Sequence, residues 1–211
     1  YGLQKSVSEY CFARNLELLG IDRASVEFSN MDPAAAATAL RLNQQGIEAI
    51  MVWNPFVLST LAARKDANVI FDSSTIPGEI IDMVVMAKDS LEKPGGESFA
   101  CAISEAFYAI CARLEDPATR DETLVALGIK FSDLDLEAMK TVVVQTDFYE
   151  TPTLGRALFG GSALPAVMER VVSFCTSQQI LERPVSYGFG PGEDVDLRFD
   201  STRMDCAATQ R

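Results

Sequence analysis

Short apolar runs alternate with segments of helical periodicity in the first part of the chain. The runs that predict strands cover residues 1–4, 26–29, 47–53, 69–71 and 80–87. Run 47–53 is apolar almost throughout, which is typical of a strand covered on both faces. Strands that alternate with helices through short connections favour right-handed crossovers, so the pattern predicts an α/β fold with a parallel sheet.

Polar residues that favour helix starts follow three of these runs. Ser6 and Glu9 have the spacing of a capping box, in which the serine hydroxyl and the glutamate each satisfy a free N–H group. Asp32 and Asn54 each precede a proline, a pattern typical of an N-cap followed by the first helical residue. We expect these helices to end near positions 19, 45 and 64.

The rest of the chain is predicted to be mainly helical. Helical spacing over residues 97–115 predicts a long helix whose apolar stripe faces a core. The stripe consists of Phe99, Ile103, Ala106, Phe107, Ile110 and Leu114. Further helices are predicted after Asp116, Ser132 and Thr151, over 164–178 and over 201–209. Residues 183–199 are rich in glycine, proline and charge, which predicts a loop or an arm.

Composition narrows the function of this 211-residue chain. Hydrophobic residues make up 48% and charged residues 23%, a balance typical of a globular protein. The formal net charge of −12 at pH 7 opposes binding to phosphate backbones and to anionic membranes. The absence of histidine removes Ser-His-Asp and Cys-His catalysis and the usual imidazole metal sites. We therefore expect ligand binding rather than catalysis, with no nucleic-acid partner, no metal and no cofactor.

Cysteine usage and hydropathy add little about the compartment. The cysteines are Cys11, Cys101, Cys111, Cys175 and Cys206. Their number is odd and no CxxC spacing occurs, so we expect buried or half-buried free thiols, and any disulfide among them stays open. No apolar stretch reaches the roughly 20 residues that span a bilayer, and no signal-peptide pattern begins the chain.

Ligands of parallel α/β sheets bind beyond the carboxyl ends of the strands, where the following helices start. The hydroxyls of Ser6 and Ser8 can hold a small polar group there, although Ser6 can equally be a helix cap only. Trp53, the only tryptophan, and Asn54 follow the third predicted strand. An indole at that position can form the wall of a ligand site or belong to the core.

Acidic and aromatic groups mark further candidate places. Residues 30–32 end the second predicted strand, where the aspartate can contact a ligand or cap its helix. Glu79 lies in a turn, and Asp82 interrupts the last predicted strand, where a carboxylate needs a partner or a wet cleft. A loop between two predicted helices adds Asp147 and Tyr149.

Stretches along the whole chain resemble one known protein family. In order, they read YGLQKSVSEYCFARNLELLG, FSNMDPAAAATAL, GIEAIMVWNPFV, FDSSTIPGEIIDMVVMAKDSL, FYETPTLGRALFGG and LPAVMERVVSFC. The first three resemble the periplasmic solute-binding proteins of the nitrate, sulfonate and taurine ABC-transporter family. The last three are most similar to the branch associated with urea carboxylase, whose members are labelled urea transporters. The similarity runs from Gly2 to about residue 205.

The resemblance implies a type II periplasmic-binding-protein-like fold, in which two α/β lobes close on a ligand. Residues 1–78 would then form a parallel-sheet lobe, the family's second lobe, on the side of the ligand cleft. Residues 79–211 would form a crossover strand, a helix-rich part of the first lobe and a C-terminal arm. The opening part of that first lobe and a signal segment would precede Tyr1, so we expect the first lobe to be incomplete in this chain.

The resemblance also implies a periplasmic, non-enzymatic component that delivers a small solute to the membrane permease of an ABC importer. The residues expected to bind the solute are Ser6, Ser8, Trp53, Asn54, Glu79, Asp82, Asp147 and Tyr149. Carboxylates pair with planar N–H donors, and an indole stacks on the same plane. The expected solute is therefore nitrogen-rich and neutral or cationic, such as urea or guanidine.

Two other functions stay open at this point. An enzyme on the same scaffold, acting on a small nitrogen- or sulfur-containing compound, would need an activated acid or cysteine, and Cys11 lies nearest to a candidate site. A ligand-sensing domain of a regulator uses similar lobes, although no DNA-binding segment or basic patch supports it.

Overall fold

The computed structural model describes residues 1–179, 181, 183, 185–192 and 194–208. The chain forms two compact units. The first unit consists of Tyr1–Asp82 and a short return segment that begins at Ser177. The second consists of Met83–Thr176 and the chain from Leu181 onwards. The boundary expected from the sequence, after residue 78, falls inside the first unit.

Helices dominate both units. They are α1 (Val7–Leu18), α2 (Pro33–Arg41), α3 (Phe56–Ala63), α4 (Lys88–Glu92), α5 (Gly96–Glu115), α6 (Arg120–Phe131), α7 (Leu136–Val144), α8 (Pro152–Gly160) and α9 (Ala163–Ser177). Shorter 3-10 helices cover Arg23–Ser25, Ser73–Thr75 and Thr202–Ala208. Thr209, the predicted end of the last helix, lies outside the described residues. Within the described residues no single helix has the length and apolarity to cross a membrane, and only α8 with α9, bent by 60°, meets that test as a pair.

Cap chemistry explains several helix starts, as the sequence predicts. Ser6 is the N-cap of α1, and its hydroxyl accepts the N–H of Ser8 at 3.2 Å. Asp32 caps α2 by accepting two N–H groups of the first turn, ahead of a proline. Thr151 caps α8 in the same way. α1 and α3 end close to the predicted positions, whereas α2 ends earlier, at Arg41.

Three predicted caps are wrong. α6 begins at Arg120 with Thr119 as its N-cap, so the helix predicted after Asp116 starts later. α3 begins at Phe56 with Pro55 as its N-cap, so Asn54 does not occupy the cap position. α7 is capped by Asp135 rather than Ser132, because the Asp135 carboxylate accepts a first-turn N–H group at 2.9 Å. In all three cases the local pattern indicates a helix correctly but places its first residue wrongly.

The predicted parallel sheet of the first unit is reduced to isolated bridges. Gly2 pairs in parallel with Asn30 and with Met51, so the first three apolar runs are extended and lie side by side without forming regular strands. The pairing stops after Gln4 because the chain turns at Lys5, whose φ is +55°, and enters α1. The expectation of a parallel-sheet lobe over 1–78 is therefore wrong as regards regular strands.

The remaining two apolar runs form no strand at all. Residues 69–71 and 80–87 lack regular structure, apart from the turn at 80. Ile70 and Val85 are exposed, so no second layer covers them as a buried strand requires. The apolar composition of these runs indicates a strand. A strand also needs a segment that pairs with it, and none of the described residues pairs with these runs.

The regular strands of the described residues lie in 183–199, where the sequence predicts a loop or an arm. β1 (Tyr187–Phe189) and β2 (Leu197–Phe199) form a two-stranded parallel sheet, so the structure is a mixed, helix-rich α/β one. Their connection is shorter than the dozen or so residues usual for parallel strands. Asp196 secures it, because its carboxylate accepts the Arg183 guanidinium at 3.0 Å and the Ser186 N–H at 3.0 Å.

Acid is expected to open the β1–β2 pair before the helices unfold. The hydrogen bonds from Arg183, and then from Ser186, hold the pKa of Asp196 well below its ordinary value. Asp196 therefore stabilises the pair above the unfolded pKa of about 3.9, and this contribution is lost as pH falls towards the lower native pKa. Hydrogen exchange measures the opening at two amides: the Gly190 N–H donates to the Phe199 carbonyl in β2, and the Leu197 N–H donates to the Ser186 carbonyl just before β1.

The matched variants are Asp196→Asn and Asp194→Asn. Asp196→Asn should speed exchange at both amides already at neutral pH and flatten the acid dependence. Asp194 lies in the same connection, is largely exposed and pairs only with Lys88 among the described residues, so its asparagine variant should exchange like the wild type. Unchanged exchange in Asp196→Asn would show that the carboxylate does not secure the pair.

The core of the second unit lies among α5, α6 and α7. Its buried cluster consists of Leu114, Leu124 and Met139. Leu114 belongs to the predicted stripe of α5, but Phe99 and Phe107 of that stripe are exposed. The helix predicted over α5 is confirmed, but the face predicted to be buried is wrong for most of it. Ala100 and Cys111 are buried instead.

A disulfide joins Cys101 in α5 to Cys206 in the last 3-10 helix. Cys11, Cys111 and Cys175 are free, and the first two are buried while the third is half-buried. The expectation of free thiols thus holds for these three residues. The sequence leaves the disulfide open because its two cysteines are 105 residues apart and share no motif.

Candidate functional site

Three segments of the first unit end at the same edge. Gly2 pairs in parallel with Asn30 on one side and Met51 on the other. Because parallel segments point in one direction, their carboxyl ends lie together. We call this the helix-start edge, since α1, α2 and α3 each begin just beyond it. Its residues are 4–6, 30–32 and 53–55.

Hydrogen bonds fix the first two segments to each other. The Asn30 amide oxygen accepts the Gln4 N–H at 2.9 Å, and the Gln4 side-chain amide donates to the Phe28 carbonyl at 2.8 Å. The Ser6 hydroxyl donates to the Leu3 carbonyl at 2.6 Å. These bonds fix the first turn of α1 relative to residues 28–30, the segment that precedes α2.

Four of the predicted ligand residues belong to the helix-start edge or adjoin it. Ser6 caps α1, and Ser8 is buried in the first turn of that helix. The Trp53 side chain is 45% exposed and packs edge-on against Phe56, with 6.2 Å between the ring centroids. Asn54 is half-buried. The structure thus brings these four residues to one edge, where the indole is partly exposed to solvent.

Glu79 lies against α1, away from the helix-start edge. Its side chain is 8% exposed, and its carboxylate accepts Arg14 Nε at 2.8 Å and Arg14 Nη2 at 2.9 Å. The Tyr10 hydroxyl donates to the same carboxylate at 2.6 Å. The hydrogen bond to Glu79 is the main cause that raises the pKa of Arg14, so the guanidinium stays charged. The acid that the sequence assigns to a guanidinium-like ligand therefore binds a guanidinium of its own chain.

The other three predicted residues are not part of the helix-start edge. Asp82 is exposed and ends the first unit, and no strand surrounds it. The reason for expecting an interior carboxylate there is therefore wrong. Asp147 and Tyr149 belong to the second unit, in the linker between α7 and α8, where the first is exposed and the second is half-buried.

Two residues outside the predicted set shape the site. Arg14 neutralises Glu79, and no local sequence signal could reveal this, because 65 residues separate the partners. Glu9 contacts the turn at Lys5, since its carboxylate accepts the Lys5 N–H at 2.7 Å. The capping-box spacing indicates that Glu9 satisfies a free N–H group here, although the bond comes from Lys5 and not from the cap residue itself.

Cys11, the cysteine that lies nearest to a candidate site, is buried within α1. Burial raises the pKa of its thiol to about 11, and the nearby charge of Asp72 adds to the effect. At neutral pH the group is a thiol rather than the reactive thiolate. Within the described residues, no group of three or more Cys, Asp or Glu side chains is arranged to hold a metal ion.

Comparisons with known protein families, curated proteins and solved structures found no match for this chain. The family that the sequence resembles therefore stays a prediction. Inference about function depends on the chemistry of the helix-start edge and of the groups around it.

Proposed function

We propose that this chain is the substrate-binding component of an ABC importer, with a type II periplasmic-binding-protein-like fold, and that it takes a small, planar, nitrogen-rich solute. The observation that carries the proposal is the parallel pairing of Gly2 with Asn30 and Met51. This pairing gathers three helix starts and an exposed indole at one edge, the usual position for ligands in α/β proteins.

The charges around the helix-start edge favour urea over guanidinium as the solute. Each helix start carries free N–H groups and a partial positive charge, which attract an oxygen acceptor and disfavour a cation. Lys5 adds a positive charge, and the Asp32 carboxylate is already engaged in capping α2. Glu79 is neutralised by Arg14. A neutral amide whose carbonyl oxygen meets the N–H groups and whose plane lies on Trp53 fits this arrangement best.

One further observation supports binding rather than catalysis, and another supports a periplasmic location. The raised pKa of Cys11 removes the one cysteine near the edge from nucleophilic chemistry. The disulfide between Cys101 and Cys206 fits an oxidising compartment such as the periplasm. Delivery to a membrane permease completes the proposal and follows from the family resemblance alone.

Trp53 provides a direct test because it is the only tryptophan of the chain. Urea, well below denaturing concentrations, should change the tryptophan emission in a saturable way, since a solute stacked on the indole alters its surroundings. Nitrate, taurine and guanidinium should produce no saturable change. Saturable binding of nitrate or taurine without a response to urea would contradict the solute class. No saturable change in tryptophan emission with any of the four compounds would contradict the binding site.

The variant Trp53→Ala should weaken urea binding about fivefold, because stacking on an aromatic ring contributes roughly 1 kcal/mol. Calorimetry measures the affinity, since the variant has no tryptophan signal. Phe131→Ala is the matched control: Phe131 is an exposed aromatic residue of the second unit and should leave the affinity unchanged. Equal affinities for Trp53→Ala and the wild type would remove the indole from the site.

A further inference from the structure

The turn that leads into α1 has a backbone conformation that favours glycine. Lys5 has φ +55°, in the left-handed region, and it is followed directly by the cap residue Ser6. Non-glycine residues adopt this conformation at a cost, so surrounding contacts must hold it in place. The turn lies on the helix-start edge and determines where the first N–H groups of α1 point.

A buried acid supplies one of the contacts that hold this turn, beside the bond from the Ser6 hydroxyl to the Leu3 carbonyl. The Glu9 side chain is 8% exposed, and one carboxylate oxygen accepts the Lys5 N–H at 2.7 Å. The other oxygen faces Arg23 Nη2 at 3.3 Å. Arg23 is itself fixed over the rings of Phe12 and Phe28, at 5.3 and 5.9 Å from their centroids. One carboxylate oxygen of Glu9 is thus held by Arg23, and the other accepts the N–H of the turn.

We propose that Glu9 is a positioning residue of the solute site, which acts by keeping Lys5 in the left-handed conformation. This role rests on the proposed function, because it assumes that the solute's oxygen meets the first turn of α1. Glu9 itself does not touch the solute. Its carboxylate fixes the Lys5–Ser6 turn, and the turn presents the free N–H groups of the helix to the helix-start edge.

The fraction of molecules with Lys5 in the left-handed conformation determines how much the loss of Glu9 weakens urea binding. Without an acceptor for its N–H, Lys5 should return mainly to ordinary backbone conformations, and the left-handed form should fall to about one tenth of the molecules. The apparent affinity falls with the fraction of competent molecules. Glu9→Ala should therefore weaken urea binding about tenfold.

The experiment is a double-mutant cycle read by Trp53 emission during urea titration, with thermal melts to confirm that each variant is folded. Glu9→Gln keeps an oxygen acceptor for the Lys5 N–H and should retain most of the affinity. Lys5→Gly adopts the left-handed turn unaided, so adding Glu9→Ala to Lys5→Gly should cost almost nothing further. Glu17→Ala removes an exposed acid from the same helix and should bind urea like the wild type.

Hydrogen exchange at the Lys5 amide is the second measurement, and it does not need a solute. Protection should be high in the wild type and in Glu9→Gln and low in Glu9→Ala. Wild-type affinity in Glu9→Ala, equal losses in Glu9→Gln and Glu9→Ala, or a full tenfold loss in the Lys5→Gly background would each overturn the positioning role while the proposed function stands. A wild type that does not respond to urea would instead overturn the proposed function and, with it, this role.

Discussion

Replacing Glu79 by alanine is expected to destabilise the first unit by about 3 kcal/mol. The substitution leaves the guanidinium of Arg14 without its bidentate partner, at a side chain that is only 17% exposed. It also removes the acceptor of the Tyr10 hydroxyl. Breaking a buried ion pair costs more than the pair contributes, because the Arg14 charge then stays in a poorly hydrated place with only the exposed Glu17 as its partner. Hydrogen exchange of the α1 amides measures the local free energy of unfolding.

Controls separate this effect from a general loss of charge. Glu17 also pairs with Arg14, but its side chain is 71% exposed, so Glu17→Ala should cost less than about 1 kcal/mol. Replacing Arg14 and Glu79 together by methionine should cost less than Glu79→Ala, because no charge is then left alone. If Glu79→Ala were as stable as the wild type, the ion pair with Arg14 would not contribute to the stability of the first unit.

Leu124→Ala is expected to destabilise the second unit by about 3 kcal/mol. Leu124 is 1% exposed and packs between Leu114 and Met139, with Leu127 and Leu134 beside them. The cost combines the lost burial of the three side-chain carbons that alanine lacks with the cavity that the helices α5, α6 and α7 cannot close. The measurement is the free energy of unfolding of these helices, from hydrogen exchange along α6.

The neighbouring residue supplies the control for this substitution. Val125 lies on the same helix and is 39% exposed, so Val125→Ala should change the free energy of unfolding by less than about 1 kcal/mol. Similar losses for both alanine variants would mean that α6 presents a different face to its neighbours.

Local chemistry explains which parts of the fold the sequence predicts. The caps Ser6, Asp32 and Thr151 act on N–H groups two or three residues away, so their helices start as expected. Strands depend on partners far along the chain. Residues 26–29 are extended and end beside Gly2, whose N–H donates to the Ser29 carbonyl at 3.0 Å. Residues 80–87 have similar apolar character but form no strand. Hydrophobic pattern alone does not distinguish these cases.

The same distinction applies to the candidate site. Ser6 and Trp53 could be selected in advance, because a residue at the end of an extended run adjoins a helix start whatever the rest of the chain does. Glu79 could be recognised as an acid in a turn near the candidate site, but not as the buried partner of Arg14, which is distant in sequence. The expected solute changes accordingly, because it followed from counting acids without knowing which of them were neutralised.

The bond between Cys101 and Cys206 closes a covalent ring that contains α6 to α9 and both strands, together with the return segment from Ser177. A protease that cuts any linker inside this ring leaves one molecule of unchanged mass on a denaturing gel. Two fragments separate only after a reducing agent opens the ring, so cleavage at these linkers is seen in reduced samples and missed in oxidised ones.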